Sequence, residues 1–125
     1  MKLENFRKYL TKSGKFVLAG KDSGQNEDLI GNNLNKDDLV FHTASSGSPF
    51  CVVKGDINND DLKEIALFCA RYSREWKKSK YKKDVLVHYF KGKDIYKEKG
   101  MKKGTFGVRK FRVINTKKED IERLK

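Results

Sequence analysis

The hydrophobic positions of this chain fall in short runs with two different spacings. Phe6-Arg7-Lys8-Tyr9-Leu10 and Phe16-Val17-Leu18-Ala19-Gly20 flank Lys12-Ser13-Gly14-Lys15, the pattern of two strands joined by a tight turn. Asp22 or Ser23 caps a helix running through Asn26, Leu29 and Ile30, with Glu27 and Asp28 near its positive end and Asn32-Asn33 closing it. Leu39-Val40-Phe41-His42 and Phe50-Cys51-Val52-Val53 are short apolar strands. Between them lies a loop of small residues, Thr43-Ala44-Ser45-Ser46-Gly47-Ser48-Pro49, which holds the single proline. Asn58, Asn59 or Asp60 caps a second helix, in which Leu62, Ile65, Ala66, Cys69 and Ala70 recur at i, i+3, i+4, i+7 and i+8. That stripe faces the core, and its continuation from Tyr72 to Lys77 turns polar and basic. Val85-Leu86-Val87-His88-Tyr89 is rich in strand formers. Gly104-Thr105-Phe106-Gly107-Val108 and Lys110-Phe111-Arg112-Val113-Ile114 read as a closing pair of strands, and Thr116 as the cap of a short helix through Leu124. The pattern predicts an α+β fold, a mixed but mostly antiparallel sheet packed with two main helices and a short C-terminal helix. No low-complexity linker and no repeat divides the chain, so residues 1–125 are expected to form a single domain.

Length and composition narrow the class. A chain of 125 residues supports one hydrophobic core and is short for two domains. With 37% hydrophobic and 11% aromatic residues it is too apolar for a disordered tail, while its 37% charged residues exceed the usual share of about a quarter. The longest apolar run, Val85 to Phe90, is interrupted by His88 and falls far short of the roughly 20 residues of a membrane helix. Met1-Lys2-Leu3-Glu4-Asn5 lacks the apolar stretch of a secretory signal. Cys51 and Cys69 are too few for a disulfide scaffold and show no CxxC spacing. The expectation is a reduced, soluble, cytoplasmic protein with no membrane partner.

Charge changes the picture more. The net charge of +12 is unevenly placed: Met1 to Ala70 carries 9 basic and 10 acidic residues, whereas Arg71 to Lys118 carries 18 basic and 4 acidic ones. A solvated surface explains a modest, interspersed charge of about 2 to 8 on a small domain. A block of +14 opposes its own compaction unless an anion compensates it. A nucleic-acid backbone does so, because each neutralised phosphate releases condensed counterions. An anionic membrane fits less well, since the cations do not share one face of a single amphipathic helix.

The ordered motifs point the same way. Gly20-Lys21-Asp22-Ser23-Gly24-Gln25-Asn26-Glu27 is followed by Asp38-Leu39-Val40-Phe41-His42, the loop through Gly47-Ser48-Pro49, and Cys51-Val52-Val53-Lys54. Ala66, Ala70 and Tyr72-Ser73-Arg74-Glu75-Trp76 come next, then the strand from Val85, Lys97, and Gly104-Thr105-Phe106-Gly107-Val108-Arg109. This order resembles the NFACT RNA-binding domain (NFACT-R), found near the C-terminal end of ribosome-associated quality-control factors and as solo proteins. The similarity covers nearly the whole chain, and the specificity lies in the ordered set. Two departures are visible. Many relatives carry a second histidine just before the loop glycine, where this chain has Ser46, which argues against chemistry needing paired histidines there. Asp94-Ile95-Tyr96-Lys97 also differs from the usual Val-Ser-Lys. The resemblance implies binding of tRNA or rRNA, the ribosome as a partner, and no established enzymatic reaction. It brings Lys21 and Lys97 into the candidate site.

The remaining candidates follow from local chemistry. His42 ends a strand beside a small-residue loop. Its ring can reach a phosphate, a ribose hydroxyl or a base, or hydrogen-bond the loop backbone, and the resemblance favours the site role. His88, inside a strand, reads as structural or partly exposed. Asp22 reads as a cap, and Gln25 and Asn26 as contacts beside a helix start that attracts phosphate. Ser45, Ser46, Gly47 and Ser48 read as a backbone-donor concavity for an anion or as a plain turn. On a helix extended past Tyr72, Arg71, Arg74 and Lys78 share a face beside Lys77, a basic ridge suited to phosphates; Trp76 reads as core. Lys103, Arg109, Lys110 and Arg112 complete the set, with alternation burying Phe111 and Val113 and freeing Lys110 and Arg112. No Walker or GxGxxG loop, no zinc spacing and no RRM aromatic register is present, so no cofactor or metal is expected. The leading expectation is a non-catalytic RNA-binding module. The alternatives are an RNA-processing enzyme using His42 and a protein-interaction adaptor.

Overall fold

The turn at Lys12–Lys15 closes as its residue types require. Gly14 adopts φ +96°, where a side chain would be strained, and Thr11 and Lys15 are joined by a backbone hydrogen bond of 2.9 Å. It links β1 (Arg7–Leu10) to β2 (Phe16–Ala19). The computed structural model describes residues 5–45 and 47–124, so Ser46 lies outside the described residues. Asp22 caps α1 (Ser23–Asn33), accepting from the Gln25 amide at 2.8 Å. β3 (Leu39–Thr43) and β4 (Cys51–Val53) follow, then α2 (Asn59–Arg71), where Asn58 and Asp61 form a reciprocal capping box. A five-residue helix α3 (Arg74–Lys78) leads to β5 (Val85–Lys91), a 3-10 turn at Gly92–Asp94, β6 (Ile95–Tyr96), β7 (Gly107–Val108), β8 (Arg112–Thr116) and α4 (Lys118–Arg123).

Six strands form one sheet in the order β1-β2-β4-β3-β5-β8, and every neighbouring pair is antiparallel. The fold is α+β, as the pattern predicts. The apolar runs Val40-Phe41 and Cys51-Val52-Val53 do not alternate with polar residues because these central strands are covered on both faces. On one face Phe41, Cys51, Val53, Val85 and Val87 pack with Ile65, Ala66, Phe68, Cys69 and Ala70 of α2 and Ile121 of α4. On the other, Val40, Val52, Phe50 and Phe90 pack with Phe6 and with Leu29 and Ile30 of α1. The β6–β7 hairpin lies over this second core, contributing Ile95, Phe106 and Val108.

Four expectations are corrected. The second helix does not extend past Tyr72. Ser73 accepts from the Trp76 amide at 3.2 Å and donates to the Ala70 carbonyl at 2.7 Å, ending one helix and starting the next so that Trp76 is buried. The proposed ridge of Arg71, Arg74, Lys77 and Lys78 is therefore broken: Arg71 turns to the Ile121 carbonyl, and Arg74 meets the Gly47 loop. The closing strands do not pair with each other; β7 pairs with β6 and β8 with β5. Thr116 donates to the Val85 carbonyl at 2.7 Å and does not cap α4, whose N-cap residue is Lys117 and has no side-chain cap bond. Phe111 and Val113 alternate as expected but are about half exposed, because neither α1 nor the hairpin reaches that end of the sheet.

Candidate nucleic-acid interface

The polar residues before and within α1 serve mainly to assemble a cleft. Gly20 donates to the Phe50 carbonyl at 3.2 Å, and the buried Asn26 amide oxygen accepts from the Phe50 amide at 3.2 Å. Gln25 accepts from the Lys21 amide and donates to the Asn5 carbonyl, at 2.9 and 2.8 Å. Glu27 accepts from the Gly104 amide at 2.8 Å and from Lys97 Nζ at 2.9 Å. The same Lys97 ammonium donates to the Lys102 and Thr105 carbonyls and lies 4.7 Å from the Phe106 ring centre. Lys97 thus holds the 102–106 segment against the start of α1, with its three N–H groups already engaged.

The result is a cleft of about 510 Å³. One wall is the start of α1, with Lys21, Asp22, Ser23 and Asn26; another is the loop after β3, with His42, Ser45, Gly47 and Ser48. Lys103 to Phe106 form the third side, and Arg7, Tyr72 and Arg74 the fourth. Arg7, Lys21, Arg74 and Lys103 thus converge opposite one carboxylate, Asp22, which is engaged as the helix cap. The Arg7 guanidinium lies 3.9 Å over the Tyr72 ring. Gly47, at φ +92°, accepts from the Arg74 amide at 3.0 Å; a Cβ there would lie 3.1 Å from Arg74 Cβ, so this glycine lets the arginine close on the loop. A second depression of about 390 Å³ shares Ser45 and Arg74 and adds Lys78 and Lys83 beside one carboxylate, Glu75, so cations outnumber anions there as well.

His42 donates Nδ1–H to the Thr43 carbonyl at 2.8 Å and stacks on Phe50 with ring centres 4.3 Å apart. Burial pushes its pKa down, opposed by that hydrogen bond and reinforced by the facing His88, so the ring is neutral near pH 7 and presents Nε2. Ser48 is buried and holds the loop through the Thr43 amide at 3.0 Å.

Of the residues singled out in the sequence, the cleft brings together Lys21, Asn26, His42, Ser45, Ser48, Arg74 and Lys103. Gln25 and Lys97 stand behind it as supports. It does not gather Arg71, Lys77, Arg109, Lys110 or Arg112: Arg109 stacks 4.6 Å over the Tyr96 ring, and Arg112 lies opposite Tyr89 on the α2 face of the sheet. Arg7 and Tyr72 were missed. Arg7 sits in the half of the chain without excess positive charge, and in the fold it lies over Tyr72, which packs in turn against Phe68. Among the described residues, no group of three or more His, Cys, Asp or Glu side chains could hold a metal ion, and no helix is long and apolar enough to cross a membrane.

The Glu27 clamp makes a pH prediction. Hydrogen bonds from Gly104 and then Lys97 lower the Glu27 pKa from its ordinary 4.5. A carboxylate with a depressed folded-state value stabilises fully above its unfolded value, and the effect fades as pH falls through the folded one. Glu27→Gln is therefore expected to lower the urea midpoint at neutral pH. At a pH below both values the difference from wild type should shrink, because the wild-type carboxyl is protonated too. A gap that persists unchanged into acid would assign the effect to packing.

A six-stranded antiparallel sheet helical on both faces, with a cation-lined cleft at one rim, defines a small α+β domain, and a solved structure shares it. The C-terminal part of the fibronectin/fibrinogen-binding protein from Streptococcus suis superposes with a TM-score of 0.82 at 22% identity, covering 100% of this chain and 51% of that one. The chain belongs to the NFACT protein RNA binding domain family, whose model matches residues 5–110. It is also 40% identical over 73 residues to the archaeal Rqc2 homolog aRqcH of Methanocaldococcus jannaschii, a match that covers 56% of this chain and 11% of that protein.

Proposed function

We propose that this chain is a non-catalytic module that binds structured RNA, tRNA or rRNA, through backbone phosphates laid along the cleft. The observation that carries the reading is the convergence of Arg7, Lys21, Arg74 and Lys103 in one cleft of a domain from an RNA-binding family. Four cations facing one engaged carboxylate suit a polyanion, and the track continues through Lys78 and Lys83. Among the described residues no helix reads as a major-groove recognition element, which favours folded RNA over duplex DNA. His42 is read as a polar contact to phosphate or ribose, since its Nδ1 is committed to the Thr43 carbonyl and its ring to Phe50. Family resemblance further supports a place in translation or ribosome-associated quality control, and hence a cytoplasmic location. The activity of the much longer Rqc2 homolog is not carried over, because this chain spans about a tenth of it.

Fluorescence anisotropy with labelled tRNA across a potassium chloride series tests this. About four phosphate contacts predict that log affinity falls with log salt at a slope of roughly −3. Absent binding at about 50 mM salt, or a flat slope, would refute the proposal. In the same mixtures the RNA should stay intact with and without EDTA; cleavage lost in His42→Ala would make the protein an enzyme.

A further inference from the structure

The face of the sheet that carries His42 is not covered to its end. Along β5 the residues pointing to this face are Phe90, buried under the β6–β7 hairpin, then His88, half-buried, then Leu86, 46% exposed. On β8 the neighbouring Val113 is 50% exposed, and Phe111 just before the strand is 47% exposed. The Phe111 ring is stacked on the His88 imidazole with centres 4.0 Å apart and planes 19° apart. His88 stands directly opposite His42 on one side and Val113 on the other, so the open patch is continuous with the wall of the cleft. Desolvation pushes the His88 pKa down, keeping this ring uncharged near pH 7.

An open apolar surface of this kind on an otherwise highly charged domain calls for an occupant. Its surroundings are cationic. Lys110 precedes Phe111 in the chain and is exposed, and Lys83 lines the depression that shares Ser45 with the cleft. At the same end the Ala44 amide is bonded to the Leu86 carbonyl at 2.9 Å. An apolar protein partner would have to desolvate those cations. An unpaired nucleotide suits the surface, since its base offers a flat face for stacking and its phosphate an anion.

We propose that this open half-sheet is a stacking platform for an unpaired nucleobase, with Phe111 as the ring the base lies on and His88 as the ring that backs it. The inference rests on the RNA-binding reading and adds to it: the cleft takes the backbone of the RNA, and the platform takes a base flipped out of a loop, bulge or single-stranded end. The protein thereby distinguishes RNA with an accessible unpaired base from a fully paired duplex. Lys110, which lies outside the cleft, then serves a phosphate beside that base.

The test uses the full chain and an RNA hairpin carrying 2-aminopurine in its loop, with a blunt duplex of equal length as comparison. Stacking quenches 2-aminopurine, so wild-type protein should quench it on binding. Phe111→Ala should abolish the quench and weaken hairpin binding about tenfold, leaving duplex affinity and the salt slope unchanged. Phe111→Tyr, which keeps the ring, should behave as wild type. If wild type binds the hairpin with a steep salt slope but does not quench, or if Phe111→Ala binds like wild type, the platform is refuted while the cleft reading stands. Absence of all RNA binding refutes both. A concentration-dependent dimer in sedimentation that Phe111→Ala abolishes, without any quench, would assign the face to a second copy and overturn the proposal.

Discussion

Reversing the two cations on opposite sides of the cleft, Arg74→Glu with Lys103→Glu, is expected to weaken RNA binding about 100-fold or more at about 50 mM salt. Each substitution removes a charge that displaces a counterion and sets a carboxylate where a phosphate would lie. Two lost contacts should also make the salt slope shallower by roughly 1.5 units, so the deficit narrows as salt rises. Both side chains are exposed, and the bond from the Arg74 amide to the Gly47 carbonyl belongs to the backbone, so the thermal transition should hardly move. Lys77→Glu supplies the comparison. It is an exposed cation of the same basic segment outside the cleft, and its reversal should cost less than about threefold. Equal losses for the cleft pair and for Lys77 would mean that net charge, not the cleft, governs binding.

The second large effect concerns stability. Gly20→Ala should destabilise the domain by about 3 kcal/mol, or roughly 10 °C in Tm. A Cβ built on Gly20 would lie 2.1 Å from Asn26 Oδ1 and 2.9 Å from the Asn26 backbone nitrogen. The amide oxygen cannot simply swing aside, because it satisfies the buried Phe50 amide; moving it leaves that donor unpaired, itself worth about 1–3 kcal/mol. Gly20 also donates to the Phe50 carbonyl, so the end of β2, the first turn of α1 and the approach to β4 share one small knot. Removing the obstacle in the double variant Gly20→Ala/Asn26→Ala should cost less than the two single changes added together, a coupling that calorimetric melts can measure. Gly100→Ala is the control. That residue is exposed at φ +95° with nothing within 4 Å of the added methyl, and only its local backbone strain should appear. A Gly20→Ala melt close to wild type would show that the α1 start can shift freely.

These expectations give a physical account of the motif around Gly20. Gly20 admits Asn26, Asp22 caps the helix, Asn26 anchors Phe50, and Glu27 takes hold of Gly104 and Lys97. Asp38 does similar work before β3, accepting from the Asn35 amide at 2.8 Å and from Lys54 at 2.6 Å. Much of what looked like a list of binding residues is the scaffold that holds the loop and the cations in place. Gln25 and Lys97 were legible as important, and the structure adds that both hydrogen-bond the segments around the cleft, since a polar side chain beside a cleft and one that builds its wall look alike in a sequence.

Local features were legible because they depend on neighbours within a turn or two. The caps at Asp22 and Asn58, the apolar stripe of α2, the Gly14 turn and the strands from Leu39, Cys51 and Val85 all express short-range chemistry that the residues carry with them. The uneven charge and the motif order were equally available. Only tertiary structure decided that β8 pairs with β5 while β7 pairs with β6, and that Arg7 meets Arg74 across one cleft. It alone left Phe111 on an open face, since alternation tells which side of a strand a residue takes but not whether anything packs on that side. The difference is one of range: hydrogen bonds within a turn are set by adjacent residues, whereas strand pairing and the covering of a sheet are set by competition among segments far apart in the chain.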